Sequence, residues 1–282
     1  MAYFNPNIMT NNEYTIYYGS RGEDFKELIL SLLKRGKLKD HYIKLLMDDE
    51  SLKIYNDVFT SNTANPDNNY EVYEQLGDVL AGSFIIWYMY RRFPQLQCPE
   101  AVKIVARLKI NYGARASFFS IGDNLGFWPF ITATEEERMR EKKDLIEDTL
   151  EAFIGATAFI LDNKIRQGVG YAIVYDILSS IFDSMTISLK YEDLYDPITR
   201  LKEIFDYFKD KIGTQKKEFN KEEKLTTFKI YRIYGGTTQL LGTGVAAKKP
   251  DSEQKAAAEA IQNLNRLGFS KPIPELYLKY CK

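Results

Sequence analysis

The chain has 282 residues, 45% of them hydrophobic and 27% charged, the composition of a globular protein with one large or two smaller domains. No apolar run nears the ~18 residues of a membrane span, so no membrane partner is expected, and the polar stretch Met1 to Glu13 lacks the basic flank and apolar core of a secretory signal. The single histidine, His41, excludes zinc sites built on several histidines and most Ser-His-Asp or Cys-His catalysis. Cys98 and Cys281 alone make no disulfide framework and point to a reducing, intracellular and cytoplasmic setting.

The net charge of −1 is unevenly placed. Residues 191–282 hold 17 basic and 13 acidic side chains, leaving residues 1–190 with a net −5. An acidic front and a mildly basic back fit a metal site followed by a polyanion-binding module, although chance variation gives the same figures.

In chain order, Phe25, Leu28, Ile29, Leu32 and Leu33 follow the i, i+3, i+4, i+7, i+8 spacing of a buried helical face. Tyr70 to Phe93 is a long apolar segment that Pro94 terminates, and Ala101 to Phe119 reads as another helix. Thr134 with Glu137 makes a capping box. Leu145 to Leu161 is strongly apolar with acids set into it, and helical pattern continues to about Ile187, with no strand periodicity before residue 190. Tyr191 to Tyr195 reads as a linker, Asp196-Pro197 as a helix start, and the Lys- and Glu-rich stretch Lys209 to Lys224 as a loop. Thr226 to Tyr234 is β-branched and aromatic, a strand that ends in the hairpin signal Gly235-Gly236. A second strand runs through Leu240 and Leu241. Pro250 then opens a helix with Ala257, Ala260, Ile261 and Leu264 on one face, closed by Gly268.

The sharpest feature is the set of acids inside apolar helices. Glu71, Glu74 and Asp78 fall at i, i+3 and i+7 on one helical face, and Asp148 and Glu151 at i, i+3 on another. An unpaired buried carboxylate costs several kcal/mol, so such a cluster needs Lys or Arg partners, shared protons or a metal. Oxygen-only ligands suit Mg²⁺, with Mn²⁺ as a substitute, and two divalent ions can flank a phosphodiester. A di-iron bundle normally needs Glu-x-x-His pairs, which His41 alone cannot supply. Gly77 and Gly155, each beside its acids, would let the two helices approach closely.

Tyr70 to Asp78, continuing to Arg91-Arg92-Phe93-Pro94, resembles the signature helix of the ribonuclease III family, and Leu145 to Ala156 resembles that family's second acidic motif. The wording Asn-Tyr-Glu is similar to proteins of large DNA viruses. The resemblance implies an all-α ribonuclease III catalytic domain, residues 1–190 with an N-terminal helical extension, followed by a small α+β double-stranded-RNA-binding domain, residues 196–282. It implies that Glu74, Asp78, Asp148 and Glu151 are catalytic and bind the metal, that Glu71 supports them, and that a homodimer hydrolyses both strands of double-stranded RNA, leaving 5′-phosphate and 3′-hydroxyl ends. Gln75 stands where the family usually carries an aromatic that packs into the partner subunit, which puts that packing in question.

Asp196 to Glu203, Gly242-Thr243-Gly244 and the Ala-rich last helix resemble the start and end of the RNA-binding domain. By that resemblance Thr199 and Glu203 lie on the helix facing the minor groove, and Lys248, Lys249 and Lys255 meet phosphates near the last helix N-terminus. Asp251 and Glu253 stand where more lysine is usual, and the first strand with its groove-entering loop reads as truncated. Lys216, Lys217, Lys221 and Lys224 are substitute phosphate contacts or a solvated loop. The alternative functions are a non-cleaving duplex-RNA binder or scaffold and, more remotely, another all-helical metal hydrolase acting on nucleotides.

Overall fold

A computed structural model describes residues 15–113 and 115–281. The reading of Met1 to Glu13 lies outside them. The chain divides into two compact units, Met1–Thr186 and Ile187–Lys282.

The first unit is helical: α1 (Glu23–Arg35), α2 (Asp40–Leu46), α3 (Asp49–Val58), α4 (Glu71–Arg92), α5 (Val102–Tyr112), α6 (Arg115–Asn124), α7 (Glu135–Arg140), α8 (Lys142–Lys164) and α9 (Val169–Phe182). The segment read as one helix from Ala101 to Phe119 is α5 and α6, because the chain turns at Gly113. Two-residue strands that sequence periodicity is too short to reveal, β1 (Ile16–Tyr17) and β2 (Ala133–Thr134), pair antiparallel. A parallel bridge joins Thr60 to Thr132. Together they bring the loop after α3 beside the start of α7. Arg21 braces this junction from within, donating to the carbonyls of Phe59 and Phe130 and to the hydroxyls of Thr60 and Thr132.

Helix α8 is the axis of this unit. It contacts α2, α3, α4, α6, α7 and α9 and is buried almost all round, Leu145, Leu150, Phe153, Ile154 and Ile160 each being at most 2% exposed. Such a helix is apolar on every side except where something specific faces it. Its polar interruptions are therefore informative. Thr157 is satisfied by the Phe153 carbonyl at 2.7 Å and the Tyr55 hydroxyl at 3.0 Å. Glu147 and Glu151 are the two buried acids.

The glycines explain how α4 reaches α8. A Cβ built on Gly77 runs into the Glu151 carbonyl, and one built on Gly155 runs into the Tyr73 carbonyl and the Gly77 amide. Each helix thus lays its backbone directly on the other at the point where its acids stand.

The second unit comprises α10 (Tyr191–Leu194), α11 (Pro197–Ile212), β3 (Thr214–Glu222), β4 (Leu225–Tyr234), β5 (Thr237–Ala246), α12 (Lys249–Arg266) and α13 (Glu275–Tyr280). The strands form an antiparallel sheet in the order β3-β4-β5, with α11 and α12 packed on it and on each other. Leu201, Ile204, Phe228, Ile230, Leu241 and the Ala256/Ala257/Ala260 face make the core. Gly235 and Gly236 turn the β4–β5 hairpin with φ of 55° and 77°, as a two-residue loop with positive φ requires. Asp196 caps α11 by accepting from the Thr199 amide at 3.0 Å.

Three expectations are corrected here. Tyr191 to Tyr195 is not a linker: it holds α10, with Tyr191 and Leu194 buried. Lys209 to Lys224 is not a loop but the end of α11 and the nine-residue β3, so the first strand is not truncated. This edge strand is exposed along nearly its whole length. It therefore shows no period-2 alternation, and its charged side chains blunt a free edge. Helix α13 had no counterpart in the sequence reading. Its Tyr277 packs against Tyr191 and Tyr195.

The helix crossing makes a direct prediction. Gly155→Ala forces α4 and α8 apart and lowers the stability of the first unit by about 3 kcal/mol or more, at the upper end of overpacking penalties. Urea unfolding measures it, and a loss under about 1 kcal/mol would show that the crossing yields easily.

Candidate metal and nuclease site

The acids of α4 and α8 meet around this crossing. Glu71, Glu74 and Asp78 come from the first two turns of α4, and Glu147, Asp148 and Glu151 from the N-terminal half of α8. Asp78 and Glu71 are exposed, Glu74 and Asp148 half-buried, Glu147 and Glu151 buried. Burial pushes the Glu151 carboxyl up to about 8, and the negative fields of Glu147, Asp78, Glu74 and Asp148 push in the same direction. Without a counter-ion, Glu151 therefore holds its proton at neutral pH.

The structure thus brings Glu74, Asp78, Asp148 and Glu151 into one electrostatic neighbourhood. Among the described residues, however, no three His, Cys, Asp or Glu side chains converge closely enough to form a ready metal cage. Like charges without a cation between them stand apart. The donor set nevertheless fits a hard divalent ion, being carboxylate oxygen from two helices with no nitrogen or sulfur.

A supporting shell surrounds the acids. The Tyr70 hydroxyl donates to Asp148 Oδ2 at 3.2 Å, and the Asn62 amide donates to Glu71 Oε1. Ser61 donates to Glu137 Oε2 at 2.8 Å, and the Thr63 hydroxyl donates to the same oxygen. Thr134 accepts from the Glu137 amide at 3.3 Å, so the capping box is half made: the Glu137 side chain turns to the Ser61/Thr63 loop. An open groove lined by Asn62, Thr63, Thr134, Glu137 and Arg140 runs past this shell.

Sequence reasoning missed Glu147, Tyr70 and the Ser61-Asn62-Thr63 loop. Glu147 stands directly before Asp148 and four residues before Glu151, a spacing that could have flagged it. The loop and Tyr70 carry no such signal, since only tertiary contact gives them a partner.

In the second unit, the residues expected to meet RNA have defined surroundings. Thr199 Oγ1 donates to Asp196 Oδ2 at 2.6 Å. Glu203 Oε2 accepts from Tyr191 and, at 2.7 Å, from Lys271. Lys249 Nζ lies 3.6 Å from the centre of the Phe219 ring, and Lys255 donates to the Val245 carbonyl at 3.0 Å. Lys248 is the exposed N-cap residue of α12. Lys216 and Lys217 pair with Glu218 and Glu253, each at 2.7 Å. Among the described residues no helix is long and apolar enough to cross a membrane, and both cysteines are free thiols.

No family model matches the chain. It is 43% identical over 272 residues to "Putative ribonuclease 3" of Invertebrate iridescent virus 6, covering 92% of this chain and 93% of that protein. The chain belongs to the ribonuclease III family. A like-named protein of Frog virus 3 is 40% identical over 85% of this chain, which spans 62% of that protein. "Ribonuclease 3" of Desulfotalea psychrophila is 28% identical over 87% of this chain and its own full length. Among solved structures, the nuclease domain of ribonuclease III from Campylobacter jejuni is 22% identical with a TM-score of 0.41, covering 51% of this chain and 95% of that one. The family assignment rests on the sequence relatives. The enzyme class expected from the two acidic motifs, a ribonuclease, is the one those relatives carry, and the viral wording of the first motif agrees with their source.

The elevated Glu151 carboxyl has a consequence for stability. Because the folded protein holds a proton that the unfolded chain releases near pH 4.5, metal-free stability falls as pH rises from about 4.5 to about 8. Glu151→Gln removes this penalty. It is expected to raise the metal-free thermal midpoint at pH 8 and to leave it unchanged at pH 4. An equal shift at both pH values would show that the effect is not ionisation.

Proposed function

We propose that the chain is an endoribonuclease that hydrolyses both strands of double-stranded RNA with Mg²⁺, or Mn²⁺ in its place, leaving 5′-phosphate and 3′-hydroxyl ends. The observation that carries this reading is the backbone-close crossing at Gly77 and Gly155, which gathers carboxylates of α4 and α8 in a member of the ribonuclease III family. Glu74, Asp78, Asp148 and Glu151 are the catalytic, metal-holding set, and Glu71, tied to Asn62, supports them. Divalent ions held by these carboxylates would supply an activated water and charge stabilisation at the leaving oxygen. The chain's own part is to hold those oxygens in place and to release the Glu151 proton so that its carboxylate can serve as a ligand.

The second unit is proposed as the double-stranded-RNA-binding domain. Its helix, three-stranded sheet and helix, with both helices packed on the sheet, support that reading. Lys248 and Lys249 at the α12 N-terminus carry the phosphate contacts, aided by the free N–H groups of that turn and by Lys255. Thr199 and Glu203 are assigned to the same RNA-facing helix, but both are already engaged within the unit. Two catalytic domains are needed for two strands, and a homodimer would supply them. Exposed Val72, Leu76 and Val79 follow i, i+4, i+7 along α4 and offer an apolar stripe for a second copy, with Gln75 exposed beside them. A reducing intracellular compartment completes the reading.

Two measurements test it. Long duplex RNA with Mg²⁺ is cut to short duplexes by the wild type, while Glu151→Gln loses cutting, by about 10³-fold or more for a lost metal-site carboxylate, and keeps duplex binding. A wild type that binds duplex RNA but cuts with neither Mg²⁺ nor Mn²⁺ is a binder, not an enzyme. The Lys248→Ala/Lys249→Ala protein binds duplex RNA more weakly and with a salt slope reduced by about 2, one per lost phosphate contact. An unchanged slope removes these lysines from the interface.

A further inference from the structure

Tyr70 stands just ahead of the first acid of α4 and carries no metal-ligating chemistry, yet its hydroxyl reaches the acid cluster. It donates to Asp148 Oδ2 at 3.2 Å, linking residues 78 positions apart in sequence. The residue is 6% exposed. Its backbone is fixed on both sides, the amide donating to the Thr60 carbonyl at 3.1 Å and the carbonyl accepting from the Glu74 amide at 2.9 Å. Thr60 is held in turn by Arg21, which reaches its hydroxyl at 3.4 Å and the neighbouring Phe59 carbonyl at 2.9 Å. The phenol is therefore aimed at Asp148 by the fold and not by the choice of a flexible rotamer.

A tyrosine hydroxyl is a donor at neutral pH, and its partner here is a carboxylate oxygen. A protonated hydroxyl beside a carboxylate offsets part of its charge and fixes its plane. Hydrogen bonds from outside the ligand set typically contribute about 10–100-fold in metal affinity, because they hold a ligating group at the angle the ion requires.

We propose that Tyr70 is a positioning residue of the acid site, its hydroxyl orienting the Asp148 carboxylate for a divalent cation. This rests on the reading of Glu74, Asp78, Asp148 and Glu151 as the metal-holding set. It goes beyond that reading in assigning a role to a residue that neither touches substrate nor ligates. A purely structural tyrosine would contribute through its ring. The positioning role resides in the one hydroxyl oxygen, so Tyr70→Phe separates the two.

The test is calorimetric titration of Mn²⁺ into the full chain, in parallel for wild type, Tyr70→Phe and Asp148→Asn, with metal-free thermal unfolding of each. The expected result is binding by wild type, loss of binding in Asp148→Asn, and binding weakened by about tenfold or more in Tyr70→Phe, which still unfolds cooperatively. Placing 4-aminophenylalanine at position 70 keeps the ring and restores an N–H donor, and should return most of the affinity. If Tyr70→Phe binds Mn²⁺ as tightly as wild type while Asp148→Asn does not, Tyr70 has no positioning role and the metal reading stands. If the loss in Tyr70→Phe is not recovered with 4-aminophenylalanine, the effect belongs to packing and the proposal is overturned. If wild type and Asp148→Asn behave alike, the metal-holding set itself is misassigned and the role of Tyr70 falls with it.

Discussion

The contact between the backbones of α4 and α8 is the constraint on which the rest of the first unit depends. Two helices normally stand about 8–10 Å apart, separated by their side chains. Here Gly77 and Gly155 remove that layer at the crossing, and the flanking acids are carried inward with the backbone. The close approach thereby brings carboxylates from separate helices into a shared, partly desolvated space. The apolar length of α8 on either side anchors the crossing, with Leu145, Leu150, Phe153 and Ile154 buried against the surrounding helices.

That arrangement is electrostatically expensive, and the structure shows how the expense is distributed. Glu151 takes up a proton. Asp148 accepts from Tyr70, Glu71 from Asn62, and Glu137 from Ser61 and Thr63. The donors come from the loop after α3, which the Thr60–Thr132 bridge and Arg21 hold against the start of α7. The small strand pairings of this helical unit thus position neutral donors around a negatively charged centre.

The parts of this organisation that were legible in the sequence are those whose cause is local. The acids at i, i+3 and i+7, the glycines beside them, the Pro94 stop, the Asp196 cap and the Gly235-Gly236 turn each follow from short-range geometry, and each lies where its residues place it. The parts that were not legible depend on partners distant in sequence. Strand β3 has charged residues on both faces and takes its strand conformation from pairing with β4. Tyr191 reads as linker until Tyr277 and Glu203 enclose it. Tyr70 carries no periodic signal that would set it apart, and only the fold brings its hydroxyl to Asp148, whereas Glu147, four residues before Glu151, could have been flagged by its spacing.

The front of the chain, residues 1–190, is net acidic and residues 191–282 are mildly basic. On the proposed function, the metal-free acid centre repels phosphate, and part of the basic charge of the second unit is already paired with acids. Glu218 and Glu253 pair with Lys216 and Lys217, and Lys271 is committed to Glu203. On that reading Lys248, Lys249 and the α12 N-terminus offer attraction, which Asp251 opposes. A cation held at the acids would offset part of their charge and weaken that repulsion. On the proposed function, a cation held at the acids would therefore favour duplex binding. On that reading, the carboxylates that would hold the ion would also govern how readily phosphate approaches them.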